Sequence, residues 1–137
     1  MLPKKYLKAF LLILIFQILF LVIFALFRLI DWDEGGYLSA AYQVRCGKIP
    51  YLDFLYPQMP YVPYVYSPIS GFGFASLFWG RLISAFASLI LGIALFWVAY
   101  KSSKDAKLSL FLFFLYSFNG LFLTWHCTVK TLVLSDL

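Results

Sequence analysis

The sequence predicts an all-α, polytopic membrane protein, and three observations lead to that fold class. Of the 137 residues, 64% are hydrophobic and only 12% are charged, whereas soluble domains are about half apolar and about a quarter charged. Long uncharged runs are the second observation, because a backbone in hydrocarbon must satisfy its own hydrogen bonds as a helix. The third is that lysines cluster at the ends of these runs. The positions of the positive charges, rather than their sum of +5, therefore indicate the orientation in the membrane, and no nucleic-acid partner is expected.

The uncharged runs predict three transmembrane helices. The core of the first, 9–27, has 19 residues and covers roughly 28 Å of a hydrocarbon layer about 30 Å thick. The third contains Asn119 and Gly120, which could break or bend it. We interpret the chain as a single membrane domain, 1–137, with spans at about 9–29, 82–100 and 108–125. A fourth span could start within 128–137.

The basic residues orient these spans. Lysines near the cytoplasmic ends of spans determine the orientation of a membrane protein. One group precedes the first span and another separates the second from the third: Lys4, Lys5, Lys8, Lys101, Lys104 and Lys107. We therefore expect a multi-pass protein of the cell membrane, with a cytoplasmic N-terminus and with residues 31–80 on the outer face. A cleaved signal peptide is the less favoured interpretation of the first span, because its apolar core is long and no A-x-A site follows.

The external segment predicts a short amphipathic helix followed by a stiff loop. Asp31 or Asp33 suits the N-cap of a helix over 34–46, and Gly47 is a typical C-terminal stop signal. This helix is expected to lie along the outer membrane surface. The prolines and tyrosines that follow predict an extended loop whose rings form an interfacial belt or stack on sugars. Residues 67–79 are expected to form a half-helix or surface helix leading into the second span.

The spacing of small residues within the second span predicts a packing face. Ser84, Ser88 and Gly92 recur at every fourth position, and small residues at this spacing let helices approach closely.

Residues 31–68 carry a resemblance to a known family. Their sequence is DWDEGGYLSAAYQVRCGKIPYLDFLYPQMPYVPYVYSP, and it resembles the first external loop of the GT-C membrane glycosyltransferases, in particular the bacterial protein-mannosyltransferase and aminoarabinose-transferase branch. The similarity extends over roughly 5–130, with Gly36 and Gln58 as departures from the family pattern. The matching positions are Asp33, Glu34, Tyr37, Ala41, Gly47, Pro50, Tyr51, Asp53, Pro60, Tyr64 and Arg81.

The resemblance implies a transferase that takes a sugar from a polyprenyl phosphate on the outer membrane face. It implies Asp33 as the general base and Glu34 as its acidic neighbour in the catalytic site. The implied substrate-binding residues are Asp53, Arg45 and Tyr51. Members of this family are much longer, so the chain is expected to be an N-terminal portion, a fragment or a truncated copy. The sugar acceptor is left open.

Other interpretations of the same residues stay open. The acids could simply cap a helix, and the chain could be a small non-catalytic membrane subunit that binds a partner. A transporter fragment is the third possibility, since Gln17 is expected to lie in mid-membrane, where it would bond to a neighbouring helix. Asp31 and Asp33 have the D-x-D spacing of a metal site. Two acids alone are too few ligands to predict a metal site, and the question of a divalent metal cofactor stays open. A lone His126 is more typical of an interfacial residue than of a catalyst.

Overall fold

The computed structural model describes residues 3–120 and 125–130. Over these ranges the chain is all-α, as the sequence predicts. A short 3-10 turn at Ser67–Ile69 follows the third helix. The five α-helices are α1 (Lys4–Phe27), α2 (Trp32–Arg45), α3 (Tyr61–Tyr66), α4 (Ala75–Ser103) and α5 (Ala106–Phe118).

Two of these helices, α1 and α4, are long and apolar enough to cross a membrane. In the most apolar stretch of α1 only 22% is buried inside the protein, and in that of α4 only 33% is buried. Most of the apolar surface of both helices therefore faces outward. Such a surface suits a lipid environment. Length and composition therefore allow a membrane location with two spans. Because α1 lies near the N-terminus, the same properties also fit a signal sequence.

The prediction of a third span over 108–125 is wrong. Helix α5 has 13 residues and is therefore about 20 Å long, shorter than a hydrocarbon layer of about 30 Å. It ends at Phe118 because Asn119 adopts an extended conformation with ψ 117°, so the expected break at this position is confirmed. The proposed start of a fourth span is not helical over 128–130, and 131–137 lie outside the described residues.

Helices α1 and α4 run antiparallel. Phe10, near the start of α1, packs against Phe96 in the last third of α4. Leu21, towards the other end of α1, packs against Ala85. The lysines in the first turns of α1 and those around the C-terminal end of α4 therefore lie at one end of the helix pair, as the predicted topology requires. The acidic residues at the start of α2 lie at the opposite end.

The predicted packing face of α4 is confirmed. Ser84, Ser88 and Gly92 are all buried. A Cβ atom on Gly92 would lie 2.9 Å from a ring carbon of Tyr116 and 3.1 Å from one of Phe113, which is closer than van der Waals contact. The absence of a side chain at Gly92 thus lets α5 approach α4.

The loop after α2 is less extended than the sequence predicts. Gly47, with φ 86°, ends α2 as expected, but residues 61–66 form α3 despite their proline content. Pro60 is the N-cap of α3, and Pro63 occupies its first turn, where a backbone N–H has no intrahelical partner to lose. A 3-10 turn and further turns occupy most of 67–74, and α4 begins at Ala75, ahead of the predicted position 82.

Candidate functional site

The three clustered acids have different local roles at the start of α2. Asp31 is the N-cap, and its Oδ1 accepts a hydrogen bond from the backbone N–H of Asp33 at 3.3 Å. The Glu34 carboxylate completes a capping box, because its Oε2 accepts from the backbone N–H of Asp31 at 3.0 Å. Of the two N-caps that the sequence allows, the structure therefore has Asp31.

Glu34 forms a buried ion pair with Arg81 of α4. The Arg81 Nη2 lies 2.7 Å from Glu34 Oε2, and the Arg81 Nε lies 2.9 Å from Glu34 Oε1. The two side chains are only 0% and 3% exposed. This is the bidentate geometry that arginine and carboxylate groups favour.

The same guanidinium also binds the C-terminal end of α1. It donates to the backbone carbonyls of Ala25 at 3.1 Å, Arg28 at 3.0 Å and Leu29 at 3.2 Å. With the two bonds to Glu34, Arg81 makes five hydrogen bonds, and a guanidinium has five N–H donors. Arg81 therefore links α1, α2 and α4, and it has no donor left over for a substrate phosphate.

Residues 125–130 pack onto this cluster from the far end of the described chain. The backbone N–H of Val129 donates to Glu34 Oε1 at 3.1 Å. The Lys130 Nζ lies 3.1 Å from Asp31 Oδ2 and 3.0 Å from Asp33 Oδ2. The same Nζ lies 4.3 Å from the centroid of the Trp125 ring, a cation–π distance. Sequence reasoning missed Lys130, because no local pattern connects it with acids so far away along the chain.

The pKa values of these groups follow from their partners. Burial alone would raise the pKa of Glu34, but hydrogen bonds from Arg81, Asp31 N–H and Val129 N–H outweigh burial and hold the pKa below its usual range. The hydrogen bond from Lys130 is the main reason that the pKa of Asp31 is lowered. Burial would lower the pKa of Lys130, but its contacts with Asp33 and Asp31 raise it. All three groups are therefore held in their charged forms.

Asp33 differs from its acidic neighbours because its side chain is 61% exposed. It lies on the wall of a cavity of about 380 Å³ between α2 and the loop at 54–58. Aromatic and amide side chains line much of this cavity, including Trp32, Tyr37, Phe54, Tyr56, Gln43 and Gln58. The cavity can therefore bring a ligand to the one acid of the cluster that is mainly exposed.

The residues expected to bind substrate do not line this cavity. Asp53 accepts a hydrogen bond from the backbone N–H of Ile49 at 2.7 Å and stabilises a local turn. Tyr51, in the left-handed region at φ 69°, donates its hydroxyl proton to the Gln58 carbonyl. Arg45 donates to the Pro68 carbonyl at 3.0 Å. The structure gives each of these three side chains a local partner, and none of them is part of the cavity lining.

A second polar cluster is buried between α4 and α5. His126 is only 3% exposed, so it is not the interfacial residue that the sequence predicts. Its Nδ1 lies 3.1 Å from Ser88 Oγ and 3.3 Å from the Tyr116 hydroxyl. Gln17 is also buried, and its Oε1 has no hydrogen-bond partner among the described residues. Since these groups are shielded from solvent, the accessible cavity beside Asp33 is the better candidate site.

Cysteine and metal chemistry contribute little to this site. Cys46 is exposed, Cys127 is buried, and neither forms a disulfide. Over the described ranges, no group of three or more histidine, cysteine or acidic side chains could hold a metal ion. The D-x-D pair of Asp31 and Asp33 instead binds the Lys130 ammonium group.

Comparisons of the chain with models of protein families, with curated proteins and with solved structures give no match.

Proposed function

We propose that this chain is part of a membrane glycosyltransferase that moves a sugar from a polyprenyl phosphate to an acceptor on the outer face of the bilayer. The proposal rests on the resemblance of residues 31–68 to the first external loop of the GT-C enzymes. Helices α1 and α4 are compatible with it, because both are long and apolar enough to span a bilayer. Because α1 and α4 pack antiparallel, the acids at the start of α2 and the lysines lie at opposite ends of this helix pair.

The observation that carries the proposal is the difference in exposure among the three acids. Glu34 is fully buried and Asp31 is a helix cap, whereas the Asp33 side chain is 61% exposed on the wall of a cavity. A general base must come within hydrogen-bond distance of the proton that it removes. Asp33 is the acid of this cluster best placed to meet that requirement, and we assign it the role of base.

Each group has a defined part in the proposed reaction. Asp33 removes the proton of an acceptor hydroxyl while that oxygen forms a bond to the anomeric carbon of the donor. The bond between the anomeric carbon and the phosphate oxygen breaks, and its electron pair leaves with the phosphate. Glu34 does not touch the reactants. Its ion pair with Arg81 fixes the start of α2 and so positions Asp33.

A non-catalytic membrane subunit is the second candidate, and one observation favours it. Asp33 also lies 3.0 Å from the Lys130 Nζ, so each of the three acids has a structural partner. On this alternative the cluster only joins the helix ends, and the exposed loops bind another protein. Neutralising Asp33 would then leave function unchanged.

The test is a transfer assay in membranes that contain the gene product in its natural length, with a polyprenyl-phosphate sugar as donor. Asp33→Asn keeps the size of the side chain and removes the base, so we expect the rate to fall by about 10²–10⁴-fold. Asp105→Asn is the matched control, because Asp105 is an exposed N-cap of α5 at the lysine end, where asparagine also caps a helix, and it should retain most activity. Undiminished transfer by a normally inserted Asp33→Asn protein would contradict the proposal and favour the subunit.

A further inference from the structure

We infer that a groove between α1 and α5 binds one anionic phospholipid, with an acyl chain along the groove and the headgroup on the lysines at its cytoplasmic end. This inference rests on the membrane location in the proposed function, but it requires neither the sugar nor the base. It concerns the end of the α1–α4 pair opposite the acids.

The groove is an apolar cavity of about 350 Å³ between the two helices. Several of its side chains are about half exposed, Leu12 and Phe114 among them, so the groove opens outward. Phe20 and Phe118 are the lining residues farthest from the lysine end, and their ring centroids are 5.8 Å apart. This ring contact closes the groove at that end. Every lining side chain is aliphatic or aromatic: Leu12, Ile13, Phe16, Phe20, Phe114 and Phe118.

The groove has the depth of one leaflet. Between Leu12 and Phe20 helix α1 rises by roughly 12 Å, and half of a hydrocarbon layer is about 15 Å thick. The uncharged run of α1 starts at Ala9, so the groove begins near the lysine-end boundary of the hydrocarbon and ends near its middle. One acyl chain of the leaflet on the lysine side can therefore lie along it.

A lysine precedes the groove on each of the two helices. Lys8 comes four residues before Leu12, and Lys107 comes seven before Phe114, spacings that keep side chains on one face of a helix. Both lysines are exposed, and their long stems let the ammonium groups reach the headgroup level. Within the described ranges, no salt bridge joins either of them to an acid. Both ammonium groups are therefore available to a phosphate.

The balance of charge at this end favours an anionic headgroup. The one described acid among the six lysines is Asp105, which caps α5 by accepting a hydrogen bond from the backbone N–H of Lys107 at 2.8 Å. Basic pockets between membrane helices on the cytoplasmic side bind the headgroups of anionic lipids. A smaller apolar hollow of about 180 Å³ at the other end of α1 differs in this respect. Its one cation is Arg28, which is paired with Asp31 at 3.6 Å.

The first test measures lipid retention by the full chain, purified in an uncharged detergent. The protein is titrated with phosphatidylglycerol or with phosphatidylcholine of the same acyl chains, and bound lipids are counted by native mass spectrometry. We expect one phosphatidylglycerol to bind about 25-fold more tightly than phosphatidylcholine, because each of two lysines near the membrane surface contributes roughly fivefold.

Two double variants assign that preference to the groove. Lys8→Gln/Lys107→Gln should lose most of it. Lys101→Gln/Lys104→Gln removes the same charge from the end of α4 and should keep it. Equal binding of the two lipids by the unchanged chain, or equal loss in the two double variants, would overturn the inference.

The second test places the acyl chain. Leu12→Trp fills the groove and should weaken binding of phosphatidylglycerol about tenfold, as expected when a cavity is overpacked. Ile15→Trp is the matched control, because Ile15 is exposed at 57% against 59% for Leu12 and does not line the groove. Equal affinity of the two variants would contradict the inference.

A second copy of the chain is the competing occupant of the groove. A dimer that Leu12→Trp dissociates and Ile15→Trp preserves would assign the groove to that copy and overturn the inference. Lipid binding and sugar transfer are measured separately. If phosphatidylglycerol does not bind selectively while Asp33→Asn still abolishes transfer, the inference fails and the proposed function stands.

Discussion

The two ends of the α1–α4 pair are held together by different interactions. At the lysine end, Phe10 packs against Phe96 and Phe113 with ring centroids 4.5 Å and 5.1 Å apart. At the acidic end, Arg81 makes five hydrogen bonds, to Glu34 and to carbonyls in and just after the last turn of α1. One end is joined by apolar contact and the other by directional polar bonds.

This difference has a structural consequence for the site. Apolar packing is not directional, so it joins the helices without fixing the chain that follows them. The bidentate pair between Arg81 and Glu34 instead fixes where α2 starts relative to α1 and α4. Successive residues of a helix are rotated by about 100° from one another. When Glu34 points into the protein, its neighbour Asp33 is free to point towards the cavity.

The largest expected effect comes from breaking the polar end. Arg81→Met leaves the Glu34 carboxylate buried without its cation, and removing one partner of a buried pair costs about 3–5 kcal/mol. The measurement is the free energy of unfolding in detergent micelles by chemical denaturation. Arg45→Met is the matched control, because Arg45 makes a single bond to the Pro68 carbonyl, and we expect it to cost about 1 kcal/mol. Equal losses in the two variants would contradict the role given to Arg81.

A somewhat smaller effect is expected at the apolar end. Phe96 is 1% exposed, and Phe96→Ala should cost about 3 kcal/mol, the lower end of the range for a buried phenylalanine. The lower value is expected because helices that separate within lipid lose packing but little hydrophobic transfer free energy. Phe86→Ala serves as the control, since Phe86 is mainly exposed. If both alanine variants unfold at the same denaturant concentration, the lysine end is not held by this cluster.

The smallest effect is a dependence on pH that only the polar end should show. The folded pKa values of Asp31 and Glu34 are lowered, so these groups stabilise the fold at a pH above their unfolded pKa values. That stabilisation is lost as the pH falls through the lowered folded values. Unfolding measured from pH 7 downwards should therefore show decreasing stability below about pH 5. Glu34→Gln should flatten this dependence, and Phe96→Ala should leave its slope unchanged. A wild-type profile that stays flat to pH 2 would rule out this contribution.

The sequence predicts the elements that depend on local chemistry. The run before Arg28 predicts α1, and the acid at position 31 with Gly47 predicts both ends of α2. The sequence could have predicted that Arg81 has a polar or charged partner, because a charged side chain near the start of an apolar span needs one. The identity of the partner could not, since Glu34 and Arg81 are brought together only by the antiparallel packing of α1 and α4.

Among the predictions that failed, the third span and the extended loop have identifiable physical reasons. Hydropathy alone extended the third span across Asn119, although the chain leaves the helical conformation at that residue. The proline spacing suggested an extended loop, but prolines are accepted in the first turn of a helix, which is where Pro63 lies. The cavity beside Asp33 could not be predicted, because it depends on how the loop at 54–58 folds back onto α2.

The central claim is that the acidic end and the lysine end lie on opposite sides of a bilayer. It is tested most directly by labelling intact cells with a membrane-impermeant maleimide. Two variants are compared in a Cys46→Ser background, Asp33→Cys and Lys104→Cys, where the buried Cys127 is expected to stay unreactive. The account predicts that position 33 is labelled in intact cells and that position 104 is labelled only after the membrane is permeabilised. Labelling of position 104 from outside, with position 33 protected, would contradict the account.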